Sequence, residues 1–247
     1  MEASVWFFAV AGLAAFVVGA AKGGMPMVGV LSVPILALVM PPVAAAALLL
    51  PVYIVSDVVG LWAYRRHYDR RNMIILLPAM TFGVGVGWAT ARITPEWVVT
   101  LLVGAVGLFY CINAAMRRAD SKPRQADVPR GLLWGTIAGF TSFVSHTGGP
   151  PYQMYVLPQR LEKMVYAGTG TIIFAIINVV KLLPYWALGQ FNSNNLEIAA
   201  MLSPVAIAGT FVGYKDTELI PQKLFFRLVE AALALVSVKL IFDALLK

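Results

Sequence analysis

Lys22-Gly23-Gly24-Met25-Pro26 and Ser145-His146-Thr147-Gly148-Gly149-Pro150-Pro151 place a cation, an imidazole and two hydroxyls beside helix-breaking clusters in otherwise apolar sequence. Glycine lowers helix stability and proline removes a backbone donor, so each cluster should open the chain. In lipid, open backbone is tolerated only inside protein or along a water-filled cavity. The chemistry such breaks offer is anion binding. A helix restarting after the break aims free N–H groups and about half a positive charge at the cavity. On this reading the backbone of Gly23, Gly24, Gly148 and Gly149 forms the site. Ser145 and Thr147 add hydroxyls, Lys22 and His146 are flanking donors, and the half-helices restart from Met27 and Tyr152. Close helix packing with a structural kink is the competing account of the glycines.

Asp57 and Asn178 stand at matched places in the spans after the two breaks. An acid inside a membrane segment is costly and faces the bundle interior. Asp57 is expected to form a structural ion pair with Lys22, or with Arg65 two turns on, and a coupling role ranks second. His146 is read as a donor first, with packing and proton coupling as alternatives. Lys181, Glu230 and Lys239 are read as structural: Lys181 snorkels toward its span end and Glu230 reaches Arg227.

The elements that must position these residues are membrane helices. Of 247 residues 60% are hydrophobic and 13% charged, and the mean hydropathy is +0.78, outside the range of soluble domains. Apolar runs at 43–64, 72–91, 97–116, 165–187, 196–214 and 222–246 are long enough to cross a bilayer. Residues 4–21 lack a basic leader and read as a retained membrane segment. Trp62, Tyr64, Trp88, Trp97, Tyr185 and Trp186 fall near span ends as interfacial anchors. The fold class is an all-α polytopic membrane protein. A formal charge of +7 resides in short loops and reports orientation, not nucleic-acid binding.

The chain repeats. Pro78, Gly83, Gly87 and Pro95 match Pro204, Gly209, Gly213 and Pro221, and a small shift lays Asp57 on Asn178 and Asn72 on Asn195. The division is 1–118 for the first repeat, 119–128 for a basic cytoplasmic linker and 129–247 for the second repeat. If the broken segments fold back as re-entrant hairpins, each half has three full spans and the second half is inverted. Single crossings instead give eight spans and parallel repeats. Hairpins gather Arg65, Arg66, Arg70, Arg71, Arg160, Lys163, Lys215, Lys223 and Arg227 on the side of the basic linker, as the positive-inside tendency favours. The expectation is therefore inverted repeats whose breaks meet near the midplane.

With the early Gly-Gly break, the segment Gly139-Phe140…Gly148-Gly149-Pro150-Pro151 and the two-fold repeat, the chain resembles TauE/SafE-type membrane permeases over nearly its whole length. The resemblance implies a multi-pass protein of the bacterial inner membrane that exports sulfite or a small organosulfonate. Two departures stand out. Lys22 enters a break that the family usually fills with a run of glycines, and His146 replaces an apolar or small residue. The inside-negative potential favours anion exit by ~2.3 kcal/mol per charge per 100 mV, so export can run without protons or sodium.

Other functions fit less of the sequence. An intramembrane enzyme would have to be built from two His and one Cys without an H-E-x-x-H motif. A non-transporting scaffold leaves the duplicated breaks unexplained. A transporter of another small anion, a carboxylate for example, uses the same residues. The expected partners are the small anion and membrane lipid, with no nucleic acid. No cofactor or metal is called for: Cys111 is the single cysteine and no phosphate-binding loop is present. Gly83, Gly87, Gly104 and Gly107 allow close helix contacts within one subunit or across a homodimer.

Overall fold

The computed structural model describes residues 5–25, 28–91, 123–191 and 193–245, together with 93, 95, 97, 98, 101, 104, 105, 107–109, 111 and 112. Among these residues the regular structure is helical throughout: α1 (Val5–Lys22), a 3-10 turn (Val28–Leu31), α2 (Ser32–Leu36), α3 (Pro42–Tyr64), α4 (Arg70–Thr90), α5 (Val128–Ser145), α6 (Gly149–Val156), a 3-10 turn (Leu157–Gln159), α7 (Lys163–Ala187), α8 (Ser193–Leu219) and α9 (Gln222–Leu245). Helical residues recur between 97 and 112, inside the expected third span. The restart at Met27, Pro26 of the first break, the end of the expected first repeat at 113–118 and the start of the expected linker at 119–122 lie outside the described residues. Among the described residues five helices, α1, α3, α4, α7 and α8, are long and apolar enough to cross a membrane.

Three of the helices open on an acidic cap. Asp69 accepts from the N–H of Asn72, Asp127 from that of Arg130, and Glu162 from those of Met164 and Val165. Each carboxylate satisfies helix N–H groups that have no partner within the helix and sits at the positive end of the helix dipole. All three caps lie at one end of the bundle. There Asn72 and Gln159 exchange two hydrogen bonds of 2.8 and 3.0 Å, Arg71 donates to the Ala126 carbonyl, and Lys163 donates to the carbonyls of Glu218 and Ile220.

Two crossings knit the halves together. α8 lies along α1 in the same direction, Gly209 against Phe16 and Gly213 against Ala20. α4 lies along α5 in the same direction, Gly83 against Thr136 and Gly87 against Phe143. A Cβ on Gly209 would come within 2.4 Å of the Phe16 carbonyl oxygen, and one on Gly83 within 2.1 Å of that of Thr136. Only glycine admits backbones at that separation. The matched glycines of the sequence therefore serve one purpose twice, with each half supplying a helix to the other. Gly104 and Gly107 pack within the chain too, against Ser237 and Ile241 of α9.

α3 and α7 form the central antiparallel pair, with Asp57 beside Asn178 and Gly60 beside Thr171. After each break the chain doubles back. Gly29 returns beside Ala21, and Tyr155 of α6 reaches the Asp127 carbonyl where α5 began. α1 consequently runs in the same direction as α3, and α5 in the same direction as α7.

Three expectations need correction. Tyr64 and Tyr185 are not interfacial anchors: both are buried, donating to the carbonyls of Gly23 and Phe143 respectively. Trp62, Trp88, Trp97 and Trp186 do stand exposed. The span at 196–214 continues as helix to Leu219, because Thr217 is packed fully inside and its hydroxyl bonds the Gly213 and Gly23 carbonyls. Lys181 does not snorkel; it has no exposed surface.

Candidate functional site

α1 ends at Lys22, and the residues after it close the helix. Gly24 takes φ +123°, its N–H bonds Ala21, and the Met25 N–H reaches back to Ala20 at 3.4 Å. That is a Schellman-type cap, the arrangement that satisfies the last carbonyls of a helix. The N–H groups of Gly23 and Gly24 are spent on it. Their surroundings are tight as well. A Cβ on Gly23 would meet the Thr210 carbonyl and one on Gly24 the Tyr64 hydroxyl. The glycines here let α8 and α3 come close.

Lys22 is what this break presents. Its Nζ lies 2.6 Å from Asp57 Oδ1, and Asn178 Nδ2 donates to Asp57 Oδ2 at 2.8 Å. All three side chains are almost fully buried. The ammonium also lies 5.1 Å from the centre of the Tyr53 ring and 5.9 Å from that of Phe174. Aromatic faces stabilise a desolvated cation. Tyr53 is fixed in turn by bonds to Ser32 and the Gly29 carbonyl in the returning segment.

α5 ends differently. His146 itself adopts the left-handed conformation, φ 54° and ψ 23°, with its N–H bonded to Ser142. Its ring stacks on Tyr53 with centres 5.1 Å apart. Nε2 faces the Ala46 carbonyl at 3.1 Å. A carbonyl only accepts, so Nε2 carries the ring proton and Nδ1 is left as an acceptor. Lys181 Nζ sits 2.9 Å from that Nδ1 and 3.2 Å from both the carbonyl and the hydroxyl oxygen of Ser142. Ser145 and Thr147 bond each other at 2.7 Å and turn back onto Thr141, finishing the end of α5. Gly148 is packed against Ala138, Ser142 and Phe174.

α6 restarts at Gly149. Pro150 and Pro151 have no N–H, and the Tyr152 N–H is taken by the Gly148 carbonyl. Gly149 is thus the first backbone donor of the restarting helix. One turn on, Gln153 is fully buried with both amide atoms lacking a hydrogen-bond partner.

A cavity of about 40 Å³ lies between the two breaks. Space of that size admits a few waters or one small oxyanion. Lys22, Ser142, His146, Gly149, Thr171 and Asn178 are among the residues that line it. Of the residues singled out from sequence, Lys22, His146, Gly149 and Asn178 meet there, and Asp57 stands directly behind Lys22. Gly23, Gly24, Ser145, Thr147 and Gly148 are used in packing and capping around it. Sequence reasoning passed over Ser142 and Tyr53, and read Lys181 as a snorkelling structural residue. A signal for Lys181 existed: it follows Asn178 by three residues and shares its helix face.

The sulfite exporter TauE/SafE family model matches residues 7–240. Neither the curated proteins nor the solved structures gave a match. TauE/SafE proteins are membrane transporters for sulfite and related anions, and the apolar helices agree with a multi-pass membrane protein. With nearly every residue inside the matched range, this chain belongs to the sulfite exporter TauE/SafE family.

Proposed function

We propose that the protein exports a small sulfur-containing anion, sulfite or an organosulfonate, through the cavity between the two breaks, driven at least in part by membrane potential. One observation carries the reading: Lys22, Ser142, His146 and Gly149, the residue at which α6 restarts, line one small cavity inside an apolar bundle. Burying an anion costs several kcal/mol unless charge and donors meet it, and this cavity holds both. A carboxylate is the second candidate cargo, because the Asp57 carboxylate already rests on Lys22 at 2.6 Å.

The repeats are inverted on this reading, and the membrane is a bacterial inner membrane. The antiparallel α3 and α7, the doubling back after each break and the reciprocal crossings all support a two-fold axis in the membrane plane. The end that gathers Arg65, Arg66, Arg70, Arg71, Arg124, Arg130, Arg160 and Lys163 is cytoplasmic by its charge. Alternating access then consists of one half rocking against the other around the fixed cavity.

Sulfite flux into proteoliposomes under an imposed potassium-diffusion potential tests the function, with sulfate, sulfoacetate and acetate as competitors. The expected result is saturable, potential-dependent flux that disappears in Gly149→Leu while folded protein is still recovered. Flux unchanged by that substitution would remove the site from the second break. For topology, Asn194→Cys in a Cys111→Ser background should react with an impermeant maleimide added outside the cell. Reaction only from the cytoplasmic side overturns the inverted arrangement.

A further inference from the structure

The end of the bundle that gathers the arginines also carries a groove between α4 and α5. An open space of about 420 Å³ is lined there by Arg70, Arg71, Ile74, Ile75 and Val128. A Cβ on Gly131 would collide with Ile75, so the glycine lets α5 close onto that residue, which is buried and forms the floor. Ile74 and Val128 flank the floor at 63% and 49% exposure, and the exposed Leu132 continues the α5 wall one turn further along. The two arginines stand at the mouth, both exposed. Neither forms an ion pair among the described residues. The acids beside them are engaged elsewhere. Asp69 caps α4 through the Asn72 N–H, and Asp127 caps α5 and holds the Arg130 guanidinium at 3.2 Å. Arg71 donates from Nε to the Ala126 carbonyl, which holds its guanidinium between α4 and the start of α5.

We propose that this groove binds an anionic glycerophospholipid of the surrounding membrane, its phosphate against Arg70 and Arg71 and one acyl chain along Ile74, Val128 and Leu132. Helix α4 is long and apolar enough to cross a membrane and begins at Arg70. The arginines therefore fall at the level of the lipid headgroups, and the exposed apolar residues after them fall in the hydrocarbon. A guanidinium offers a phosphate two parallel N–H donors and a charge that does not titrate. Basic pockets between membrane helices recognise anionic headgroups on that pattern. A zwitterionic lipid brings its own cation and leaves the two guanidinium charges unbalanced. A soluble phosphate would use the arginines and leave Ile74 and Val128 uncovered. The crossing of α4 with α5 joins the two halves of the chain, so the lipid braces that junction at its basic end, whatever anion the cavity carries.

The test is native mass spectrometry of the purified full chain, titrated with phosphatidylglycerol or with phosphatidylcholine of the same acyl chains. Phosphatidylglycerol should be retained in preference to phosphatidylcholine. An arginine near the membrane surface is worth about fivefold in binding an anionic lipid. Arg70→Gln should weaken phosphatidylglycerol by that factor and leave phosphatidylcholine unchanged, and adding Arg71→Gln should weaken it further. Ile74→Trp fills the groove with its charges intact and should also release the lipid. Arg65→Gln with Arg66→Gln removes two cations at the same end but outside the groove, and should leave retention unchanged. Where Arg71→Gln fails to fold for want of its bond to Ala126, Arg70→Gln and Ile74→Trp still decide. Equal retention of the two lipids overturns the proposal. So does a loss in the Arg65 and Arg66 variant as large as that in Arg70→Gln, which would mean a general attraction to the positive end. Release of phosphatidylglycerol by millimolar inorganic phosphate would give the arginines to a soluble anion and overturns it as well.

Discussion

The two breaks solve the same problem with different residues. At the first, a glycine takes the left-handed position that ends the helix, and the cation sits on the breaking helix two residues earlier. At the second, a histidine takes the left-handed position, and the lysine comes from α7, packed alongside. Across the central pair the acid lies on α3 and its matched partner on α7 is an amide. On the proposed reading of the halves as inverted repeats, the backbone is duplicated while the side chains are not. A strictly symmetric site would present two ion pairs. Here one lysine meets a carboxylate and the other only neutral acceptors.

Stability measurements on the two lysines probe that contrast most strongly. Lys22→Met strands a buried carboxylate and should cost about 3–5 kcal/mol. Lys181→Met strands only neutral acceptors and should cost about 1–3 kcal/mol. Adding Asp57→Asn to Lys22→Met should recover most of the larger loss. Denaturant titration in mixed micelles reads all of these, and equal losses at the two lysines would erase the distinction. Next in size is the left-handed residue itself. Gly24→Ala forces a Cβ into φ +123° against Tyr64 and Thr217 and should cost about 1–3 kcal/mol. His146→Asn keeps a residue that tolerates the left-handed region, and should cost less than Gly24→Ala by the same titration. The smallest effect belongs to Tyr64→Phe, which removes one bond to the Gly23 carbonyl at a cost of about 0.5–1.5 kcal/mol. Thr217 bonds that carbonyl as well, so the loss should fall at the low end. A loss above 2 kcal/mol would mean that the first break depends on Tyr64 for more than one bond.

How far the residues alone reveal this arrangement depends on which force places them. Helix α3 is legible at both ends, because a bilayer demands an apolar run of its length and Arg65 follows at once. The far end of α8 is not. Tyr214 to Leu219 reads as a polar exit, yet Thr217 is drawn inside by the carbonyls it bonds. The glycines at 83, 87, 209 and 213 show a repeat in the sequence, but their purpose is the crossing of α4 with α5 and of α1 with α8. Helix crossings are set by tertiary packing that no local window contains. Lys22 and Asp57 could be paired on paper, since each needs the other to be buried at all. Lys181 could not be placed from its distance to a span end. Its depth is fixed by α7 packing on the second break, where a histidine supplies a lone pair in place of a carboxylate.

The crossing of α1 with α8 also sets the order of events at the ribosome. Gly209 and Gly213 must lie against the surface of α1 around Phe16 and Ala20, yet they are made roughly 190 residues after it. At about 5–20 residues per second, the opening helix waits on the order of 10–40 s for its neighbour. During that interval its exposed carbonyl ridge has only lipid or the insertion machinery beside it. α1 is thus made long before the neighbour it packs against, and this crossing cannot form until α8 has been synthesised.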